Sequence, residues 1–318
     1  MPNTLPLVSV IIPVYNGSAY IADSIHSILQ QHYHPLEVII VDDGSTDGTA
    51  EIVQQLADER VHYVRQQNSG SAVARNLGIS LAKGELIAFN DGDDLWAPHR
   101  LAQQVSFLQQ HPECQAVCGR FKTVDISFSL ADAELEQYDK EPIPDPRKSG
   151  WMFLKLLEIS CFHIITLLVR RQALVGVSFN PDYRRGQDFD FWLQLANRVP
   201  IQQLDNLYAF YRKNMQSISH KPHSRNYRAE ILQNALARYG MTDQQGRQIP
   251  HSRLNQIFAQ VWFEHGYELF LAKWYKAAAN SYWKGLSYRK NKPGAYKFLL
   301  LSYLFRAKDK TPPHAIAR

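Results

Sequence analysis

Cysteine is scarce in this chain, and the few cysteines fit no structural use. The 318 residues contain three of them, Cys114, Cys118 and Cys161. An odd number of cysteines, in no zinc-type spacing with histidine, excludes a disulfide-stapled scaffold and a zinc finger. Because the N-terminus also shows no signal-peptide pattern, we expect reduced thiols and a cytoplasmic location.

Long apolar runs and the common phosphate-binding loops are absent as well. No uninterrupted apolar stretch approaches the roughly 20 residues that a membrane-spanning helix needs. No Gly-x-Gly-x-x-Gly follows the first predicted strand, and there is no Gly-x-x-x-x-Gly-Lys-Ser/Thr. These absences exclude a dinucleotide fingerprint and a P-loop. A nucleotide would therefore have to be held by acidic side chains and a metal ion.

The first hundred residues alternate between strand-like and helix-like patterns. Short β-branched runs occupy 7–13, 36–42, 61–65 and 85–90. Stretches with apolar residues at helical spacing lie between them, at 18–31, 47–56 and 71–83. The alternation predicts an α/β fold with a mostly parallel central sheet flanked by helices.

The rest of the chain divides into an irregular part and a helical part. Residues 99–219 show no steady pattern and include a polar, proline-rich stretch at 127–149 that we interpret as a long loop or lid. From residue 226 onward the pattern is almost wholly helical. We therefore expect an α/β domain over 1–220, made of halves 1–98 and 99–220, and a C-terminal helical region over 221–318.

Three aspartates, Asp91, Asp93 and Asp94, directly follow the predicted strand at 85–90. In extended backbone, alternate side chains point the same way, so we expect Asp91 and Asp93 to converge and Asp94 to turn to the opposite side. Carboxylates this close repel one another, and a hard divalent cation relieves the repulsion while leaving positions open for phosphate oxygens. The segment indicates a metal that holds a diphosphate, although it also suits a turn that ends a strand and caps a helix.

Two further polar segments follow predicted strands. Asp42 and Asp43 end the second strand, where carboxylates can accept hydrogen bonds from a base or a ribose, or can simply form a strand-ending turn. Arg75 lies one turn into the predicted helix at 71–83. Its guanidinium could contact base or phosphate oxygens, or could be a structural arginine in a salt bridge. Ligands of open α/β sheets bind beyond the carboxyl ends of the strands, so these segments point to one crevice.

The C-terminal region carries an uneven excess of positive charge. The whole chain has a net charge of only +5, but the residues from Lys284 onward contain nine lysines and arginines and one acid, Asp309. Interleaved aromatic residues make this a candidate for peripheral contact with anionic lipid or an acidic polymer. A solvated helical face whose aromatics belong to the core is the alternative. We expect no nucleic-acid partner.

Four motifs, taken in order, resemble the family 2 inverting glycosyltransferases. They are Val8-Ser-Val-Ile-Ile-Pro-Val-Tyr-Asn, Val41-Asp-Asp-Gly-Ser-Thr-Asp, Asn68-x-Gly-x-x-x-Ala-Arg-Asn-x-Gly and Phe89-Asn-Asp-Gly-Asp-Asp. Their order and spacing over ~100 residues make a chance match improbable. The resemblance continues more weakly through Gly186-Gln-Asp-Phe-Asp-Phe-Trp. It implies the fold called GT-A and a nucleotide-diphospho-sugar donor.

The resemblance also implies roles for individual residues. Asp91-x-Asp93 matches the Asp-x-Asp element of the family, and Asp93 and Asp94 are the implied ligands of Mn2+ or Mg2+. The implied donor-nucleotide residues are Pro13, Val14, Tyr15, Asp42, Asp43, Arg75, Asp91 and Asp93.

Asp188 falls where the family's Glu-Asp pair carries its general base, while Gln187 stands in place of the usual Glu. As the base, Asp188 would take the proton of the acceptor hydroxyl, and the metal with Arg75 or Arg212 would neutralise the departing diphosphate. Candidate diphosphate or acceptor contacts are Arg212, Gln187 and Trp192.

The expected function is therefore metal-dependent, inverting transfer of a sugar from a nucleotide-diphosphate donor, with UDP-sugar as the expected donor. The expected acceptor is a hydroxyl of a saccharide or lipid-linked molecule, in surface polysaccharide or glycolipid synthesis at the cytoplasmic face of a membrane. One alternative is a non-catalytic nucleotide-sugar-binding or scaffold protein. A nucleotidyltransferase is a weaker alternative, because no cationic glycine-rich loop follows the first strand.

Overall fold

The structure is a computed structural model that describes residues 5–132, 140–213 and 221–310. The chain forms two compact units, one from residues 1–156 and 160–214 and the other from 157–159 and 215–318. We propose that these units are the two expected domains, with the boundary a few residues before the expected position at 220.

The first unit is built on an eight-stranded sheet. Its first four strands are β1 (Val8–Val14), β2 (Leu36–Asp42), β3 (Val61–Arg65) and β4 (Leu86–Phe89). Strand β1 pairs in parallel with both β2 and β4, and β2 pairs in parallel with β3. Strands β1, β2 and β4 are buried along their whole length. Their nearly continuous apolar sequences are typical of parallel strands covered on both faces.

Three helices connect these strands, as the sequence pattern predicts. They are α1 (Ile21–Leu29), α2 (Thr49–Gln55) and α3 (Ser71–Leu81). Helix α3 lies close to β1 because Gly78 has no side chain: a Cβ there would come 2.4 Å from Cγ2 of Ile11. This close approach holds α3 against β1, and Arg75 lies one turn into that helix.

The second half of the unit is more regular than its sequence suggests. It contains β5 (Leu95–Trp96), α4 (Arg100–Gln110), β6 (Ala116–Asp125), α5 (Phe153–Glu158), β7 (Leu168–Arg170), α6 (Gln187–Arg198) and β8 (Ile201–Lys213). The strand order across the whole sheet is β3-β2-β1-β4-β7-β6-β8-β5. Strand β7 runs antiparallel to β4 and β6, whereas β6 and β8 are parallel.

The expectation of an irregular region was wrong for β6 and β8, the two longest strands. Their pairing shifts register on either side of Arg120, and the outer half of β6 is exposed, so neither strand shows a steady alternation. Within the described part of 127–149, only short 3-10 turns occur, at Leu130–Asp132 and Pro146–Lys148.

The second unit consists mainly of helices. They are α7 (Tyr227–Tyr239), α8 (His251–Leu271), α9 (Tyr275–Tyr288) and α10 (Pro293–Leu304). The core contains Phe263 of α8, Tyr282 of α9 and Leu299 of α10. Helices α8 and α9 approach closely at Gly285, where a Cβ would come 2.4 Å from the Phe263 ring. Among the described residues, no helix is long and apolar enough to cross a membrane.

Candidate functional site

The three aspartates after β4 lie in a turn. The backbone N–H of Asp94 donates to the carbonyl of Asp91 at 3.1 Å, so the expectation of extended backbone here was wrong. Asp94 is fully buried, and its Oδ1 accepts the backbone N–H of Arg212 in β8 at 2.8 Å. The turn therefore keeps all three carboxylates within electrostatic reach of one another.

Burial and mutual repulsion raise the pKa values of two of these carboxylates, Asp93 and Asp94. Burial, together with the charge of Asp91, raises the pKa of Asp93 to about 6. Burial and the charges of Asp91 and Asp93 also raise the pKa of Asp94 well above its usual value. Negative charge is thus unfavourable in the protein alone, and a cation placed here would be favoured.

The residues present fit a divalent cation that shares its coordination with a substrate. The described residues contain no cluster of three or more His, Cys, Asp or Glu side chains suited to hold a metal by themselves. However, Oδ2 of Asp94 is buried and has no hydrogen-bond partner among the described residues. Mg2+ commonly uses one or two carboxylates and takes its remaining ligands from water and substrate phosphates. Asp93 and Asp94 match that kind of site.

Arg75 joins the aspartate turn to helix α6. Its side chain is 7% exposed; Nη2 lies 2.6 Å from Oδ1 of Asp91, and Nη1 lies 3.4 Å from Oδ1 of Asp188. The guanidinium also lies over the Phe179 ring, 5.2 Å from its centroid. Of the two roles that the sequence allowed for Arg75, the structure shows the salt-bridged arginine. It places the Arg75 charge between two carboxylates rather than leaving it free for a phosphate.

Asp188 lies in the first turn of α6. Its side chain is 34% exposed. Burial raises the pKa of Asp188, the Arg75 guanidinium acts in the opposite direction, and Asp91 reinforces the increase. A carboxylate with a raised pKa, beside a guanidinium that favours its ionised form, is suited to accept a proton.

Gln187 ties the start of α6 to the start of α3. Its Oε1 accepts the hydroxyl of Ser71 at 2.7 Å, and its Nε2 donates to the carbonyl of Tyr183 at 2.5 Å. Both ends of the amide are therefore used within the protein. The side chain fixes the position of the residue next to Asp188.

The two aspartates that end β2 hold the surrounding loops. Oδ1 of Asp42 accepts the N–H of Ser45 at 2.7 Å. Asp43 accepts the backbone N–H groups of Ser69 and Gly70, each at 2.8 Å, just before α3. Both carboxylates already have protein donors, so a contact with a base or ribose would use their remaining lone pairs.

The loop after β1 follows the strand that pairs in parallel with both β2 and β4. Pro13 and Val14 are buried, whereas Tyr15 is 54% exposed at the end of the strand. Asn16 follows in a left-handed conformation (φ 51°), and its side chain accepts the N–H of Thr46 at 2.8 Å. Tyr15 is thus the residue of the predicted Pro-Val-Tyr segment that can present a surface to a ligand.

Two predicted contacts have different surroundings from those expected. Arg212 is buried, with Nη2 at 2.9 Å from Asp23 and 2.6 Å from the carbonyl of Phe128. Trp192 is 2% exposed and packs against Phe162 with the ring centroids 4.9 Å apart. The structure therefore places Trp192 in the core instead of at an acceptor surface. Asn214, the residue after β8, lies outside the described residues.

His163 is a neighbour of the site that the sequence did not indicate. Burial lowers the pKa of this imidazole, while the charges of Asp188 and Asp91 act in the opposite direction. Its ring lies 5.0 Å from that of Tyr211, and Nδ1 is buried without a hydrogen-bond partner among the described residues. A single histidine in no motif gives no sequence signal.

Comparison with known sequences gives one family and several relatives. The model of glycosyl transferase family 2 matches residues 9–174. TuaG of Bacillus subtilis strain 168, named for teichuronic acid biosynthesis, is 34% identical over 225 residues, which are 69% of this chain and 84% of that protein. WfaP of Escherichia coli, named as a UDP-Glc:alpha-D-GlcNAc-diphosphoundecaprenol beta-1,3-glucosyltransferase, is 28% identical over 68% of this chain and 80% of that protein.

Solved structures share the fold at low sequence identity. The crystal structure of S. aureus TarS 1-349 in complex with UDP-GlcNAc aligns with a TM-score of 0.64 at 19% identity, over 95% of this chain and 88% of that one. The mannosyltransferase PcManGT from Pyrobaculum calidifontis, in complex with GDP-Man and Mn2+, aligns with a TM-score of 0.56 at 22% identity, over 96% and 84%.

Proposed function

This chain belongs to glycosyl transferase family 2 and has the GT-A type of fold, and we propose that it transfers a sugar with inversion from a nucleotide-diphosphate donor to an acceptor hydroxyl. The observation that carries the proposal is the chain of contacts Asp91–Arg75–Asp188. It connects a group of carboxylates that could bind a cation, and through it a diphosphate, with a separate carboxylate that could accept a proton.

Asp188 is the proposed general base. Inversion requires the acceptor hydroxyl to attack from the face opposite the leaving diphosphate, and a base must lie on that acceptor side. Arg75 holds the Asp188 carboxylate in place and favours its ionised form. Gln187 positions the same turn through Ser71 and Tyr183.

The donor is proposed to bind over the turn of aspartates. Asp93 and Asp94 would hold Mn2+ or Mg2+, which when bound stabilises negative charge on the diphosphate. Tyr15, Asp42 and Asp43 border the nucleoside side. A UDP-sugar is the first donor to test, because structures of TarS are described with UDP and UDP-GlcNAc; the GDP-Man complex of PcManGT makes GDP-mannose the second.

The proposed acceptor is a saccharide or lipid-linked molecule in surface polysaccharide or glycolipid synthesis. Two relatives support this assignment by their names, one through teichuronic acid biosynthesis and the other through a diphosphoundecaprenol acceptor. We propose that the reaction takes place in the cytoplasm, at the membrane face.

Helix α10 supports the proposed membrane contact. Tyr296, Leu300 and Leu304 are spaced four residues apart, so they share one face, and they are 47%, 61% and 67% exposed. Lys292 precedes the helix and Lys308 lies in the short turn that follows it. An exposed apolar stripe between lysines is suited to the interface of an anionic bilayer.

The membrane contact can be tested by cosedimentation with vesicles of phosphatidylcholine and phosphatidylglycerol. Leu300→Ser should reduce binding several-fold. Leu271→Ser is the matched control, because Leu271 is equally exposed at 62% but ends helix α8. Equal losses in both variants would contradict the assignment to α10.

The base assignment can be tested with Asp188→Asn, using Asp190→Asn in the same helical turn as the control. Loss of a positioned base costs ~10²–10⁴ in rate, so Asp188→Asn should lose that much while the donor still raises the melting temperature. Melting with UDP-glucose, UDP-GlcNAc and GDP-mannose, with and without Mn2+, identifies the donor, and release of its nucleotide then reports turnover. Wild-type turnover in Asp188→Asn would contradict the base role. Donor binding without any nucleotide release by the wild type would favour a donor-binding scaffold.

A further inference from the structure

The helical unit contains a cleft that no part of the proposed reaction uses. Its volume is about 940 Å3, and its walls come from α7, α8, α9, α10 and the turn after α10. This volume lies within the usual range for small-molecule sites. We call it the α9 cleft, because Lys276, Asn280, Trp283 and Lys284 of that helix form one of its walls.

The α9 cleft has an excess of positive charge. Lys276 and Lys284 lie eight residues apart and thus on one face of the helix, and Arg306 adds a third cation. None of the three forms an ion pair with a described residue. The single acid of the lining, Glu230, is already bound by Arg225, whose Nε lies 2.6 Å from Oε2. A concave surface with unneutralised cations attracts anions.

Aromatic rings are presented beside these cations. Trp283 is 53% exposed and Tyr303 is 47% exposed, although large aromatic side chains are usually buried for the most part. The indole N–H of Trp283 donates to the hydroxyl of Tyr303 at 2.8 Å, which links α9 to α10. In the same cleft, Nζ of Lys284 lies 4.4 Å from the ring centre of Trp262. The rings are therefore held in place before any ligand arrives, which lowers the entropy cost of binding.

We propose that the α9 cleft binds a saccharide that carries carboxylate or phosphate groups. The apolar C–H face of a sugar ring stacks on the exposed face of Trp283, and the amide of Asn280 can bond its hydroxyls. Lys276, Lys284 and Arg306 meet the anionic groups. The combination of a stacking ring, an amide and several cations suits an acidic sugar better than a neutral sugar or a simple anion.

The proposal can be tested by calorimetric titration of the full chain with tetragalacturonate, its methyl ester and inorganic phosphate. The acidic tetrasaccharide should bind at least about tenfold more tightly than either comparison probe, and the affinity should fall as salt rises. Galacturonate and glucose 6-phosphate, compared as single sugars, identify the preferred anionic group. Absence of tetragalacturonate binding, or equal binding of its neutral ester, would overturn the proposal.

Variants distinguish the cleft from the rest of the surface. Trp283→Ala and Lys284→Gln should each weaken tetragalacturonate binding about tenfold. The first removes the aromatic ring on which a sugar would stack, and the second removes a positive charge that would contact a carboxylate. Tyr296→Ala and Lys297→Gln are the controls: both residues are exposed on α10 and neither lines the cleft. Unchanged melting temperatures exclude loss of folding as the cause. Equal weakening by the control variants would refute the cleft as the site.

Two further measurements separate this proposal from the others. Tetragalacturonate binding should be unchanged in Asp188→Asn, so a failure of the proposed base leaves this test intact. Vesicle cosedimentation should be unaffected by Trp283→Ala. If Trp283→Ala released the protein from anionic vesicles but left tetragalacturonate binding unchanged, the cleft would serve lipid headgroups and the saccharide assignment would be wrong.

Discussion

Replacing Gln187 with glutamate should destabilise this protein, although glutamate is the residue that the resemblance leads one to expect at this position. In the structure, the amide uses both of its functions, accepting from Ser71 at 2.7 Å and donating to the carbonyl of Tyr183 at 2.5 Å. An ionised glutamate can still accept from Ser71 but has no proton to donate. It would bring a negative oxygen against the Tyr183 carbonyl.

The expected size of the effect follows from this geometry. Leaving a partly buried acceptor without its donor costs about 1–2 kcal/mol, and the new charge lies next to Asp188 in sequence. For a unit of this size, each kcal/mol corresponds to roughly 2–4 °C in melting temperature. Gln187→Glu should therefore lower the melting temperature by about 2–8 °C at pH 7.5.

The pH dependence separates this cause from simple loss of packing. A glutamate whose ionised form is disfavoured in the fold has a raised pKa there, so its penalty is present at neutral pH and disappears as the pH falls toward 4. A protonated glutamate can again donate to Tyr183. Gln187→Met, which loses both hydrogen bonds without adding charge, should show a penalty that does not change with pH. A Gln187→Glu variant as stable as wild type at pH 7.5 would refute this account.

Three other variants test the surroundings of the site. Ionised Asp93 destabilises the metal-free fold, since its pKa is raised to about 6, so Asp93→Asn should raise the melting temperature in EDTA at pH 7.5 and give little gain near pH 4; a lower melting temperature at pH 7.5 would contradict this. Gly119→Ala places a Cβ 2.1 Å from the ring of Tyr208. It should lower the free energy of unfolding in denaturant by about 1–3 kcal/mol; an unchanged free energy would mean that β6 and β8 can move apart to make room for the methyl group. Arg75→Gln removes the charge that lowers the pKa of Asp188, so the acid limb of the kcat/KM profile should move to higher pH. An acid limb at the wild-type pH would contradict the proposed effect of Arg75 on Asp188.

The sequence predicted the parallel half of the sheet within one or two residues because each strand there is a short apolar run between polar turns. Strands β2 and β3 begin and end where the pattern places them. Strands β6 and β8 escaped prediction for the opposite reason. Their side chains alternate poorly, and their stability depends on a partner strand more than 80 residues away in the chain, as in the pairing of Ala116 with Ile201.

The site, too, has features that the local sequence pattern predicts and features that it does not. The aspartates after β4 and those after β2 could be predicted to share one edge, because parallel strands bring their carboxyl ends together. The partners of the charged groups could not. Asp94 accepts from Arg212, 118 residues later, and Arg75 binds a carboxylate on α6. Such pairings depend on how the second half of the sheet packs, which no local pattern encodes.

The unsatisfied polar atoms around the aspartate turn support a function there. Oδ2 of Asp94, Nε of Arg75 and Nη1 of Arg212 are buried without hydrogen-bond partners among the described residues. Each such atom costs stability in the protein alone. The Arg75 side chain and the backbone N–H of Arg212 both contact the aspartate turn directly. Folding by itself favours filling such a crevice with apolar or fully paired groups. The arrangement makes physical sense when a cation and an anionic ligand complete the charge balance, since binding then adds stability that these charged groups lack in the protein alone.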